Sequence, residues 1–184
     1  MASSITEIAN LALTYIGADL ITSLDDPQKS AILIKQNWPI CRDAVLRAYP
    51  WNCAVKRDVL APLADQPAYG WSYSFLLPPD CLRILGLESD EPFTIEGRKL
   101  QCNSNVVKIK YLARVEDPNE YDAMLSQALA AYLAHLLAMP IVQSNSLKEQ
   151  MWEQYKLFVR EARSVDAQEN SLQVVEADDW LESR

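Results

Sequence analysis

The hydrophobic period of this chain changes twice, and that switch narrows the folds open to it. Apolar residues fall three and four apart from Ile5 to Tyr49, alternate in short runs from Trp51 to Val115, and return to helical spacing from Asp117 onward. Helices at the two ends therefore flank a strand-rich middle. Each helix has an apolar face that needs a partner, so the ends must meet. The expected fold is α+β: an antiparallel-type bundle of about four helices (1–50 and 116–169), an inserted small antiparallel β-domain (51–115) and an extended C-terminal tail (170–184).

Local signals place the elements. Ser4 and Glu7 have capping-box spacing, Ile5, Ile8, Ala9, Ala12 and Ile16 form a stripe, and Gly17 suits a helix C-terminus. Leu20, Ile21 and Leu24 are expected to tuck into the core. Asp26 and Pro27 read as the cap and first turn of a second helix with a stripe of Ile34, Trp38, Cys41, Val45 and Ala48. Pro39 predicts a kink near Ile34 to Lys35. Residues 53–60, 71–77, 81–88, 93–102 and 106–115 read as strands of one meander. Trp71, Tyr73, Phe75 and Leu77 alternate with Ser72, Ser74 and Leu76, predicting a buried aromatic face with serines opposite. Glu96-Gly97-Arg98 marks a hairpin turn. Val107, Ile109 and Tyr111 share one face of the last strand, and Lys108 and Lys110 the other. Asp117-Pro118 is expected to open a third helix that Pro140 stops, with Leu125, Leu129, Tyr132, Leu136 and Met139 as its stripe and Ala128, Ala131 and His135 beside it. Ser146 and Glu149 predict the cap of a fourth helix striped by Leu147, Met151, Tyr155, Phe158, Ala162 and Val165.

Composition excludes several functions. The 184 residues carry a net charge of -8, and about five of those charges fall in residues 166–184. A duplex-gripping protein needs clustered cations to displace counterions, which this balance opposes. No apolar run approaches the roughly 18 residues of a membrane helix, and the N-terminus has no basic segment ahead of its apolar stretch, so no membrane partner is expected. Cys41, Cys53, Cys81 and Cys102 form no C-x-x-C pair, and His135 is the single histidine. No metal or cofactor is expected, and the cysteines read as reduced, buried thiols.

Three features of the sequence bear on chemistry. His135 reads as a histidine packed between helices rather than a base. Glu116, Asp117, Glu120 and Asp122 hold the spacing of a helix start, where acids meet unpaired amides. That reading outweighs paired catalytic carboxylates. Arg98, Lys99, Lys108 and Lys110 near Tyr111 read as a solvated sheet face rather than a single-strand platform. The tail combines acids with Leu172, Val174, Val175, Trp180 and Leu181, which reads either as a disordered end with incidental hydrophobes or as a docking segment that orders on a partner through an aromatic anchor; Leu172 to Val175 suits a strand added to a sheet edge, its own or a neighbour's. No catalytic residue emerges.

The stretches "WPICRDAVLRAYPWNCAVKR", "AYGWSYSFLLPPDCLRIL" and "EGRKL" resemble the tail adaptor proteins of short-tailed bacteriophages, the tail tubular protein A or head-to-tail connector family. The resemblance spans about residues 5–163. Its motifs are a helix ending in Arg-x-x-Pro-Trp and an aromatic strand running into Leu-Pro-x-Asp-Cys-Leu-Arg. It implies a structural virion protein, assembled in the bacterial host cytoplasm, that forms a ring of typically twelve copies with itself. The ring binds the portal protein, supports the tail nozzle protein and lets double-stranded DNA pass during ejection without specific binding. Some relatives have been credited with cell-wall or polysaccharide hydrolysis, and no motif here carries that activity to a named residue. The alternatives are such a hydrolase, or a generic oligomeric binding module.

Overall fold

The computed structural model describes residues 4–169 and has an α+β fold. Helix α1 spans Ile5–Ile16; the Ser4 hydroxyl accepts from the Glu7 amide at 3.2 Å, and Gly17 closes the helix at φ 67°. That left-handed conformation is where glycine is favoured. Helix α2 spans Lys29–Ala48 and runs unbroken through Pro39. Helix α3 spans Ala123–Leu137 and α4 spans Asn145–Glu169.

Helix α3 is the axis of the bundle, with α1, α2 and α4 all packed on it. Its composition explains the position. Alanine and leucine occur all round it, and Leu125, Ala128, Leu129, Ala130, Ala131, Leu133, Ala134 and Leu137 are all buried. A helix apolar on every face belongs inside. The apolar stretch Ala123–Val142 is 20 residues with mean hydropathy 1.6, long and apolar enough to cross a membrane by length and composition. This corrects the expectation that no run of that kind exists, yet over half of it is buried against the other helices.

The middle of the chain forms two three-stranded antiparallel sheets rather than one meander. Strands β1 (Val55–Leu60), β6 (Val107–Ala113) and β3 (Cys81–Leu87) pair in the order β1-β6-β3, and β2 (Tyr73–Leu76), β5 (Lys99–Cys102) and β4 (Thr94–Glu96) in the order β2-β5-β4. The sheets share a core of Leu60, Phe75, Leu77, Leu100, Cys102, Val107, Ile109 and Tyr111. Period two explains the end of β6: Tyr111 and Ala113 point into this core while Leu112, on the opposite face, belongs to the helical core. Two sheets form because the apolar faces of six short strands are buried by folding back on one another.

Several boundaries differ from the sequence expectations. Asp26 caps no helix: its carboxylate accepts from Thr22 and Ser23 in the preceding turn, and α2 begins after Gln28. Asp117 opens only a single 3-10 turn, Pro118–Glu120, and Asp122 caps α3 by accepting from the Leu125 amide at 2.7 Å. Pro140 does not stop the chain's coiling; it sits within a π-helical turn, Ala138–Val142. Ser144, not Ser146, caps α4, accepting from the Leu147 amide. Leu20, Ala48, Met139 and Val165 are exposed instead of joining their stripes, whereas Leu46, Tyr49 and Val159 are buried. Ser74 is buried and Trp71 half-buried, because the loop before β2 closes over it: Pro62 bridges Phe75, and the Leu63 amide donates to the Ser74 carbonyl.

Candidate interaction surfaces

The bundle and the β-domain meet at a joint built from the two sequence motifs. In Arg47-x-x-Pro50-Trp51, the Arg47 guanidinium donates to the Leu82 carbonyl, inside the second motif. Trp51 is wholly buried; its indole N–H donates to the Val45 carbonyl at 3.0 Å and its ring meets Tyr49 edge-on at 5.0 Å. In Leu77-Pro78-x-Asp80-Cys81-Leu82-Arg83, the Asp80 carboxylate accepts from Lys56 at 3.2 Å and from the Tyr111 hydroxyl at 3.3 Å, while Arg98 donates to the Pro78 carbonyl. Arg114 crosses the same joint, holding Asp43 with two nitrogens at 2.7–3.0 Å. Arg42 adds bonds to Asp43 at 2.9 Å and Glu116 at 3.4 Å. Burial works to raise the Asp43 carboxyl, but Arg114 and Arg42 outweigh it and hold it below the usual carboxylate range.

Most of the chemical candidates have partners nearby in the fold. His135 lies half-buried between α3 and α4, its Nδ1 donating to the Lys148 carbonyl at 2.9 Å. Its ring lies 6.0 Å from Tyr132 and 5.4 Å from Trp152. Glu116, Asp117 and Glu120 line a cleft of about 350 Å³ together with Asp80, Lys56 and Arg114. Asp122 lines a neighbouring cleft, between α3 and the 3-10 turn at Asn52–Ala54, and Glu120 borders both. Glu116 pairs with Arg42, Asp117 accepts from the Asn119 amide, and Asp80 holds Lys56. Asp117 and Asp122 thus serve as caps, and Glu116 and Asp80 form ion pairs. Cys41 and Cys102 are buried as expected, whereas Cys53 and Cys81 are half-buried; burial pushes Cys41 up, and burial with nearby Asp122 pushes Cys53 up to about 11, which disfavours the thiolate at both.

Of the basic sheet residues, Lys108 pairs with Glu88 at 2.7 Å, and Arg98 is drawn into the joint. Lys99 and Lys110 are exposed. The five tail residues Leu172, Val174, Val175, Trp180 and Leu181 lie outside the described residues.

Sequence reasoning missed two surfaces. One is an aromatic cluster in which Tyr132, Trp152 and Tyr155 pack with His135 at centroid separations of 5.0–6.1 Å. It borders an open cleft of about 360 Å³ that Lys148 and Glu149 also line. The spacing of Trp152 and Tyr155, three apart and facing Tyr132, was the available signal. The other is a set of exposed apolar residues on three different segments. Ile40 on α2 is 66% exposed, Trp152 on α4 38%, and Tyr69 on the β-domain 89%.

No family model and no curated protein sequence matches this chain.

Proposed function

We propose that this chain is a structural virion protein of the head-to-tail adaptor type. It forms a ring under the portal, extends the DNA channel, anchors the tail nozzle and carries out no catalysis. Twelve copies, the portal and nozzle partners, and a virion location follow from the motif resemblance. The observation that carries the reading is the joint: the two motifs are in contact, through Arg47 and the Leu82 carbonyl, and orient a β-domain on a helical bundle. Ring contacts are heterologous and need two different adhesive faces on one chain. Exposed Ile32 and Ile40 on α2, and Trp152 and Leu157 on α4, provide separate apolar faces of that kind. The net charge of -8 suits a channel past which DNA slides, because a negative wall repels phosphates.

The test is the mass of the purified chain alone and with portal rings. Monomers that assemble into a twelve-fold ring on the portal are expected. Absence of any portal binding overturns the proposal, and peptidoglycan turnover lost on Glu or Asp substitution moves the assignment to a hydrolase. A channel lined mainly by Lys and Arg in the assembled ring contradicts the repulsive wall.

A further inference from the structure

The outer end of the β1-β6-β3 sheet carries a charge arrangement that asks for an anion. Arg57 on β1 stands directly opposite Lys110 on β6, and Val59 opposite Lys108. Like charges facing each other across an antiparallel pair repel. Neither Arg57 nor Lys110 has an ion pair or side-chain hydrogen bond among the described residues. These groups line a cleft of about 400 Å³ with Leu87, Ile109 and two carboxylates, Asp58 and Glu88, beside an exposed valine, so three cations face two acids. Strand β1 is also an edge: no described strand pairs with its free side.

We infer that this edge and cleft receive residues 170–184 of the same chain. Three observations single out that occupant. The first is where it starts. Ala162 and Val165 on α4 line one cleft with Trp51, Asn52 and Cys53, so the end of the bundle's last helix lies at the root of β1. Fifteen residues extend to about 50 Å, and the rise from Cys53 to Val59 is only about 20 Å. The second is charge. Glu176, Asp178, Asp179 and Glu182 against Arg184 make the segment acidic, while Arg57 and Lys110 of the cleft have no ion-pair partner among the described residues and Lys108 is held by Glu88. The third is pattern. Leu172, Val174, Glu176 and Asp178 share one face at period two, apolar first and acidic after. The sheet face beside β1 runs the same way: Val55 and Leu112 by the bundle, then Arg57 and Lys110, then Val59 and Lys108. A strand laid parallel to β1 matches apolar to apolar and acid to base.

The inference concerns the isolated chain and does not depend on ring assembly. Its test is carbodiimide cross-linking of the full-length chain, mixed in equal parts with its 15N-labelled form and read by peptide mass spectrometry. Lys108–Glu88, at 2.7 Å, serves as the internal control. Links from Lys108 or Lys110 to Glu176 or Asp178 are expected, each within one isotopic form. Substituting Arg57→Gln lowers their yield about fivefold, on the order of one lost opposite-charge cross-strand pair. Val174→Pro speeds amide exchange along β1 by about tenfold by removing a ladder donor. Control links without tail links overturn the inference, as does an unchanged β1 exchange rate. Links of mixed isotopic form overturn it in favour of the tail of a second copy.

Discussion

Trp51 shows how one side chain serves both packing and orientation. It is fully buried and its indole N–H reaches the Val45 carbonyl, so it ties the end of α2 to the chain entering β1. Trp51→Ala is expected to cost about 3–5 kcal/mol in urea unfolding, from lost burial and the cavity left behind. Asp43 is the other residue on which the joint turns. Its folded carboxyl lies below the roughly 3.9 of an unfolded aspartate. The stabilisation is therefore complete above that unfolded value and is lost as the pH falls through the lower folded one. Asp43→Asn should destabilise the protein by about 1–2 kcal/mol at neutral pH, a gap that closes in strongly acidic solution; unfolding curves collected from pH 7 downward measure it. The capping correction gives a third test. Asp122→Ala removes the hydrogen bond to the Leu125 amide and should cost about 1 kcal/mol, while Asp26→Ala leaves the start of α2 unchanged by amide exchange.

At the scale of elements, α3 decides the bundle. Its alanines let α1, α2 and α4 pack closely on it, and Ala131 is wholly buried in a densely packed interior. Ala131→Leu is expected to cost about 1–3 kcal/mol through overpacking, measured by thermal or urea unfolding. The helices and the Gly97 hairpin were legible because their signals are local: an apolar stripe, a serine before it, a glycine at φ 60° in a two-residue turn. The true caps of α2 and α4 were not. Several Ser, Asp and Asn residues compete near each start, and tertiary packing selects among them. The division of six strands into two sheets was equally hidden, since period two states which face is buried but not which strand lies beside which.

Across the whole molecule, two hydrophobic cores are linked through Trp51, Leu112 and the Arg47, Arg42 and Arg114 contacts. The protein is expected to unfold in one transition. The double variant Arg47→Ala, Arg114→Ala should uncouple it, with β5 amides losing protection at a lower urea concentration than the helical circular dichroism signal; coincident curves in the variant would show that packing alone couples the cores. The sequence by itself determined the α+β class, the order of helices and strands, and the pairing of distant ends, because periodicity records which faces must leave water. It also marked the motif residues, though not that Arg47 and Leu82 touch. Only the tertiary structure decided that α3 is central, that the strands split into two sheets, and that Arg57 faces Lys110 with neither charge paired among the described residues. Those are relations between residues far apart in the chain. They follow from how competing apolar faces and charges settle against one another, and no local pattern encodes that outcome.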